Sequence, residues 1–193
     1  MPLLVRVPGH FLGGEVPRGR TVSELTQSVD LFPTILELAG VPTPHTHHGQ
    51  SLAPLLVAPE SGKDPRVPFR DAVFAEGGYD PREPQCFEDL VDDPANPLKG
   101  VYYEKVRLAR QYPASVSRAA MVRTRRWKLV VRRADPDGVT RELYDLKSDP
   151  GERVNLAGTP DEDEGVSRRL ERLMLRWYLL TSDAPPATHQ RDA

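Results

Sequence analysis

Three histidines, His45, His47 and His48, crowd one short stretch, VPTPHTHHGQ, and imidazole both binds zinc or copper and titrates near neutrality. Two histidines two apart can share a face of an extended segment. No acidic or thiol side chain stands close in sequence to complete a metal set, so the spacing reads as loop histidines in solvent. One of them, His48, is a candidate to touch an anionic substrate from the rim of a site. Asp92-Asp93 offers two adjacent carboxylates, but the pair precedes Pro94 in a polar loop rather than ending a buried strand. Cys86 is the only cysteine, which excludes an intrachain disulfide and leaves the redox compartment open. Arg123, Arg125, Arg126, Lys128, Arg132 and Arg133 concentrate positive charge on one hairpin. Nucleic-acid binding would want aromatic rings interleaved on the same face, and Trp127 alternates onto the opposite one. The basic residues therefore read as a solvated sheet face balanced by acids elsewhere.

The bulk properties narrow the class further. The chain has 193 residues, 38% hydrophobic and 28% charged, with a formal net charge of −2. That composition suits a soluble globular protein and lacks the positive field of a general nucleic-acid or membrane-surface binder. No apolar run approaches the ~20 residues that span a bilayer. The opening MPLLVRVPG lacks the basic start of a signal peptide, so the sequence as written reads as cytoplasmic. Twenty prolines and fourteen glycines predict long loops between short elements.

Which elements must hold these residues? Pro2 to Val7 reads as a buried strand of a parallel sheet. Few later segments offer it a partner, so the expectation is that the rest of the sheet precedes Met1. Thr21 to Val29 is mixed and strand-like. Asp30 is placed to cap a helix in which Leu31, Phe32, Ile35, Leu36, Leu38 and Ala39 recur at helical spacing, with Pro33 in the first turn and Gly40 at the end. Ser51 is placed to cap a short helix over 52–57. Ala72 to Glu76, AVFAE, is a short strand that ends at Gly77-Gly78. Residues 79–116 carry five prolines and read as an irregular insertion, with a helical turn or more around 102–111. From Ser117 the alternation of Ala120, Val122, Trp127, Leu129 and Val131 with charged residues predicts antiparallel strands, reversing at 124–126 and again at Asp135-Pro-Asp-Gly138. Thr159 and Pro160 are placed to open a last helix, with Val166, Leu170, Leu173, Trp177 and Leu180 as its apolar stripe.

Five segments occur in a telling order: PLLVRVPG at 2–9, VDLFPTILELAGV at 29–41, GQSLAPLL at 49–56, MVRTRRWKLVV at 121–131 and ELYDLKSDPGERVNLA at 142–157. Together they resemble the closing third of type I sulfatases, members of the alkaline phosphatase-like superfamily. The resemblance implies an α/β fold (α+β within this part), with a small antiparallel sheet packed on one long C-terminal helix. Its expected parts are 1–78 from the catalytic domain, 79–116 as insertion, 117–182 as sheet-and-helix subdomain, and 183–193 as tail. The implied activity is hydrolysis of a sulfate ester. In the family a formylglycine, made from a cysteine or serine in a C/S-x-P-S-R run, attacks sulfur while a divalent metal, usually Ca2+, is held by Asp and Asn side chains.

All of those groups normally lie ahead of the segment that matches PLLVRVPG, so no catalytic or metal residue transfers onto this chain. Cys86 is followed by Phe-Glu-Asp and does not fit the formylglycine run. The expectation is an inactive part of a sulfatase whose partner is the missing N-terminal catalytic part. A phosphonate or phosphate diester hydrolase of the same superfamily, or a non-catalytic remnant, stands as the alternative. The substrate-binding candidates are Glu76, Tyr79 and His48. No nucleic acid and no membrane are expected as partners.

Overall fold

The computed structural model describes residues 3–7, 19, 21–42, 47–56, 69–78, 111–112, 117–134 and 138–182. Tyr79, Cys86, Asp92-Asp93, His45, the possible helical turn up to residue 110 and the 183–193 tail lie outside them. The chain divides into two compact units, Met1–Val73 with Arg176–Ala193, and Phe74–Leu175.

In the first unit a 3-10 turn, Ser28–Asp30, runs directly into helix α1, Leu31–Ala39. Gly40 ends α1 in the left-handed conformation, φ 66°, and its N–H and that of Val41 close on Glu37 and Leu36. That matches the expected glycine stop. Helix α2, Ala53–Leu56, follows Ser51, whose Oγ accepts the Ala53 N–H at 3.2 Å. Three expectations need correction. Asp30 stands at the N-cap position of α1 but its side chain makes no cap hydrogen bond; its carboxylate turns back to accept the Gln27 N–H at 2.7 Å and closes the preceding turn. Residues 21–27 form no strand: they run as irregular backbone into the 3-10 turn. Residues 3–7 belong to no strand among the described residues, and Leu4 is 96% exposed. A strand exists only through ladder hydrogen bonds to a neighbour.

The second unit is built on a four-stranded sheet in the order β1-β2-β3-β4. The strands are β1 (Val73–Gly77), β2 (Ala119–Arg123), β3 (Trp127–Ala134) and β4 (Gly138–Asp145). β2–β3 and β3–β4 pair antiparallel, and the register sets Val122, Leu129 and Leu143 side by side on one face. All three are fully buried. Each such burial stabilises by about 1.5–3 kcal/mol. Helix α3, Glu164–Thr181, contributes the fully buried Leu170. Arg141, two residues from Leu143 and so on the same face, reaches Glu171 of α3 at 3.0 Å. The sheet's core face is thus the one α3 covers.

Two details of α3 differ from the sequence expectation. It starts at Glu164, not at Pro160, and its cap is Asp163, whose carboxylate accepts the Gly165 and Val166 N–H groups at 3.0 and 3.1 Å. Thr159 instead donates its hydroxyl to the Leu156 carbonyl. The buried stripe is centred on Ser167, Leu170 and Met174, while Leu180 is exposed.

Candidate functional site

The segment of the first unit that bears His48 is fixed by polar contacts. The Asp30 side chain is fully buried, and four donors fill its two oxygens. Oδ1 accepts from the Gln50 N–H at 2.9 Å and from Arg70 Nη2 at 2.7 Å. Oδ2 accepts from the Gln27 N–H at 2.7 Å and from Arg70 Nη1 at 2.8 Å. Thr34, one turn on, donates its hydroxyl to the Asp30 carbonyl and accepts the Leu52 N–H at 2.8 Å. Gly49 lies so close to Val29 that a Cβ there would sit 2.1 Å from its carbonyl oxygen. Chain segments 20 and 40 residues away are thereby gathered on one carboxylate.

This clamp presents His47 and His48. The His47 ring meets Phe32 edge-on, with centroids 5.9 Å apart, and its Nδ1 is buried with no hydrogen-bond partner. His48 is exposed. Glu76, in the second unit, is the penultimate residue of β1 and is also exposed. Tyr79, the third substrate candidate, falls outside the described residues.

Could the residues present hold the metal that the sequence resemblance implies? Among the described residues no group of three or more His, Cys, Asp or Glu is arranged to do so. Asp30, the buried carboxylate, has its roughly four acceptor positions filled by nitrogen donors. The described part of the chain does not fit the metal. Its chemistry is that of a scaffold.

The basic hairpin resolves in the same sense. Arg126 pairs with Asp145 at 2.9 Å, Lys128 with Glu152 at 2.5 Å and Arg132 with Glu142 at 2.7 Å. The Arg126 hydrogen bond holds the Asp145 carboxyl down to about 2, helped by the Lys147 N–H. The Arg132 hydrogen bond likewise lowers Glu142, which also accepts from Tyr144 at 3.1 Å. Burial, and then that neighbouring carboxylate, raise the Tyr144 phenol. Within ELYDLKSDPGERVNLA, Asn155 makes the loop contacts its side chain suits: Oδ1 accepts the Leu143 and Ala157 N–H groups, and Nδ2 donates to the Arg141 carbonyl. These are fold-making roles.

Sequence reasoning missed the partner of Asp30. A carboxylate before a proline-containing helix start looks like a local cap, and nothing in FRD at 69–71 announces a pairing across 40 residues. It also passed over the arginines of α3, which a helical projection of 164–181 would have brought together.

The chain's likenesses agree with this picture. Residues 1–76 match the family model for the C-terminal part of N-sulphoglucosamine sulphohydrolase. The chain is 32% identical over 160 residues to an N-acetylglucosamine-6-O-sulfatase of Bacteroides thetaiotaomicron, 82% of this chain and 21% of that protein. It is 27% identical over 169 residues to arylsulfatase K of Xenopus laevis, 87% of this chain and 26% of that one. Among solved structures, one of a protein in complex with its substrate D-glucosamine-2-N,6-O-disulfate matches with a TM-score of 0.50 and 26% identity, over 83% of this chain and 25% of that chain. A second, from the glycosaminoglycan metabolism of Bacteroides thetaiotaomicron, shares the fold at a TM-score of 0.52 and 18% identity, over 85% and 29%. The chain thus spans about a quarter of the length of the curated relatives it matches.

Proposed function

This chain is the C-terminal part of a type I sulfatase of alkaline phosphatase-like fold, and from that premise we propose that the complete protein hydrolyses sulfuric esters of an amino sugar. The observation that carries the reading is the likeness to an N-acetylglucosamine-6-O-sulfatase, which runs through 82% of this chain. The formylglycine nucleophile and the divalent metal that such chemistry calls for would come from the portion of the relatives that this chain does not match. When bound, the metal would stabilise charge developing on the sulfate.

What this part contributes is framework and rim. Leu4 at 96% exposure and Ile35 at 63% are exposed apolar side chains, as are Leu3, Val5, Leu31 and Phe32. Apolar side chains left open in this way suit a partner of complementary shape, here the catalytic portion of the enzyme. His48, on its clamped loop, and Glu76 with Tyr79, at and beyond the end of β1, are the proposed contacts that select the sugar.

The test is an assay of the complete polypeptide with glucosamine 6-sulfate and, in parallel, with a nitrophenyl phosphate diester. Sulfate release from the first is expected, with KM raised in His48→Ala and Glu76→Gln and kcat little changed. Turnover of the diester alone would overturn the reading.

A further inference from the structure

Among the described residues, α3 carries a cluster of cations without a carboxylate partner, whereas Arg126, Lys128 and Arg132 of the basic hairpin are ion-paired. Arg169, Arg172 and Arg176 are exposed, and among the described residues none of them has a carboxylate partner. Their neighbour Arg168 differs, pairing with Glu164 one turn back. At 100° per residue the three fall within roughly 60° of the helix circumference, opposite the buried Ser167, Leu170 and Met174. They are strung over about 10 Å of axis. Leu175 and Leu179 border them at 61% and 73% exposure.

We propose that this face of α3 is an exosite for a sulfated polysaccharide chain, which it holds while the enzyme acts elsewhere along the same polymer. The proposal rests on the sulfate-ester reading and extends it from a sugar to a polymer. The chemistry is specific to the residue type. A guanidinium presents a planar fork of donors that matches two oxygens of one sulfate group, and its charge is more weakly hydrated than that of an ammonium. Three such forks on a rigid helix meet successive anionic groups of an extended chain, and the bordering leucines suit the C–H faces of sugar rings. The chain's net charge of −2 makes the stripe a local feature rather than a general affinity for polyanions.

The test is titration of the full chain with heparin at physiological salt, where charges further apart than about 8 Å are screened. The parent chain should bind. The R169Q/R172Q/R176Q variant, altered only on an outer face and checked for an unchanged melting temperature, should bind at least tenfold more weakly and elute earlier in a salt gradient. R132Q/E142Q, which removes a paired cation and anion together, should bind like the parent. Affinity of the triple variant within twofold of the parent would overturn the proposal, as would absence of heparin binding by the parent. Binding to phosphatidylserine vesicles or duplex DNA as tight as to heparin would also overturn it. Failure of the complete polypeptide to release sulfate from glucosamine 6-sulfate would count against the catalytic reading alone, since the heparin titration does not require turnover.

Discussion

The segments around α1 and the sheet beneath α3 are held together by opposite means. In the second unit, neighbouring strands line up Val122, Leu129 and Leu143, and helix α3 brings Leu170; all four are fully buried. In the first, α1 buries Pro33 and Thr34 while Leu31, Phe32 and Ile35 remain exposed, and the segments converge on the Asp30 carboxylate. One region is cohesive because its apolar side chains find each other. The other gathers its segments on one charge that collects four donors, beside the buried Leu52 and Ala53. A polar hub fixes geometry here while Leu31, Phe32 and Ile35 stay open to solvent.

The sharpest way to break this comparison is to remove the hub. Asp30→Ala leaves the Arg70 guanidinium, 12% exposed, without its partner. A loss of about 3–5 kcal/mol is expected. Hydrogen exchange should show it at Gln27, Gln50 and Leu52, with the β3 amides still protected. Equal loss of protection in both regions would mean that they unfold as one. Leu143→Ala is the converse experiment. It opens a cavity in the sheet core and should cost about 2–5 kcal/mol by chemical denaturation, with exchange rising first across β3 and β4.

Acid sharpens the contrast by a smaller effect. The Asp145 carboxyl sits at about 2 when folded, below its usual 3.8, chiefly through its hydrogen bond to Arg126. A lowered folded value means the stabilisation is complete above the unfolded pKa and is lost as pH falls from about 4 towards 2. Because the Arg126 guanidinium that it meets is 55% exposed, solvent screens the pair and the effect is modest. In melts between pH 5 and 2, Asp145→Asn should show a shallower decline than the parent. Identical slopes would show that the Arg126 pair contributes nothing.

Much of this architecture was legible in the residues, and the failures have a common cause. The Gly40 stop, the Ser51 cap and the 124–126 reversal all depend on groups within a few positions or on a strict period of two. Such signals are local and survive in one dimension. Asp30 was misread because its true partners stand 20 and 40 residues away, and a carboxylate looks the same whether it caps a helix or binds an arginine. The start of α3 was misread because Thr159 and Asp163 both suit a cap, and the Leu156 carbonyl took the threonine. Of the site candidates, His48 and Glu76 are placed on exposed positions; their exposure is a fact of the fold, whereas their contact with substrate awaits the kinetic test.

β4 is the last strand of its sheet, and strands in that position invite unwanted association because their outward N–H and C=O groups template another chain. Here Asn155 and Leu156 occupy that side: the Arg141 carbonyl takes the Asn155 amide, the Leu143 N–H takes its oxygen, and the Leu143 carbonyl takes the Leu156 N–H. The NLA at the end of the longest shared segment therefore covers the β4 border of the sheet, leaving Arg141 and Leu143 with fewer outward groups to template another chain.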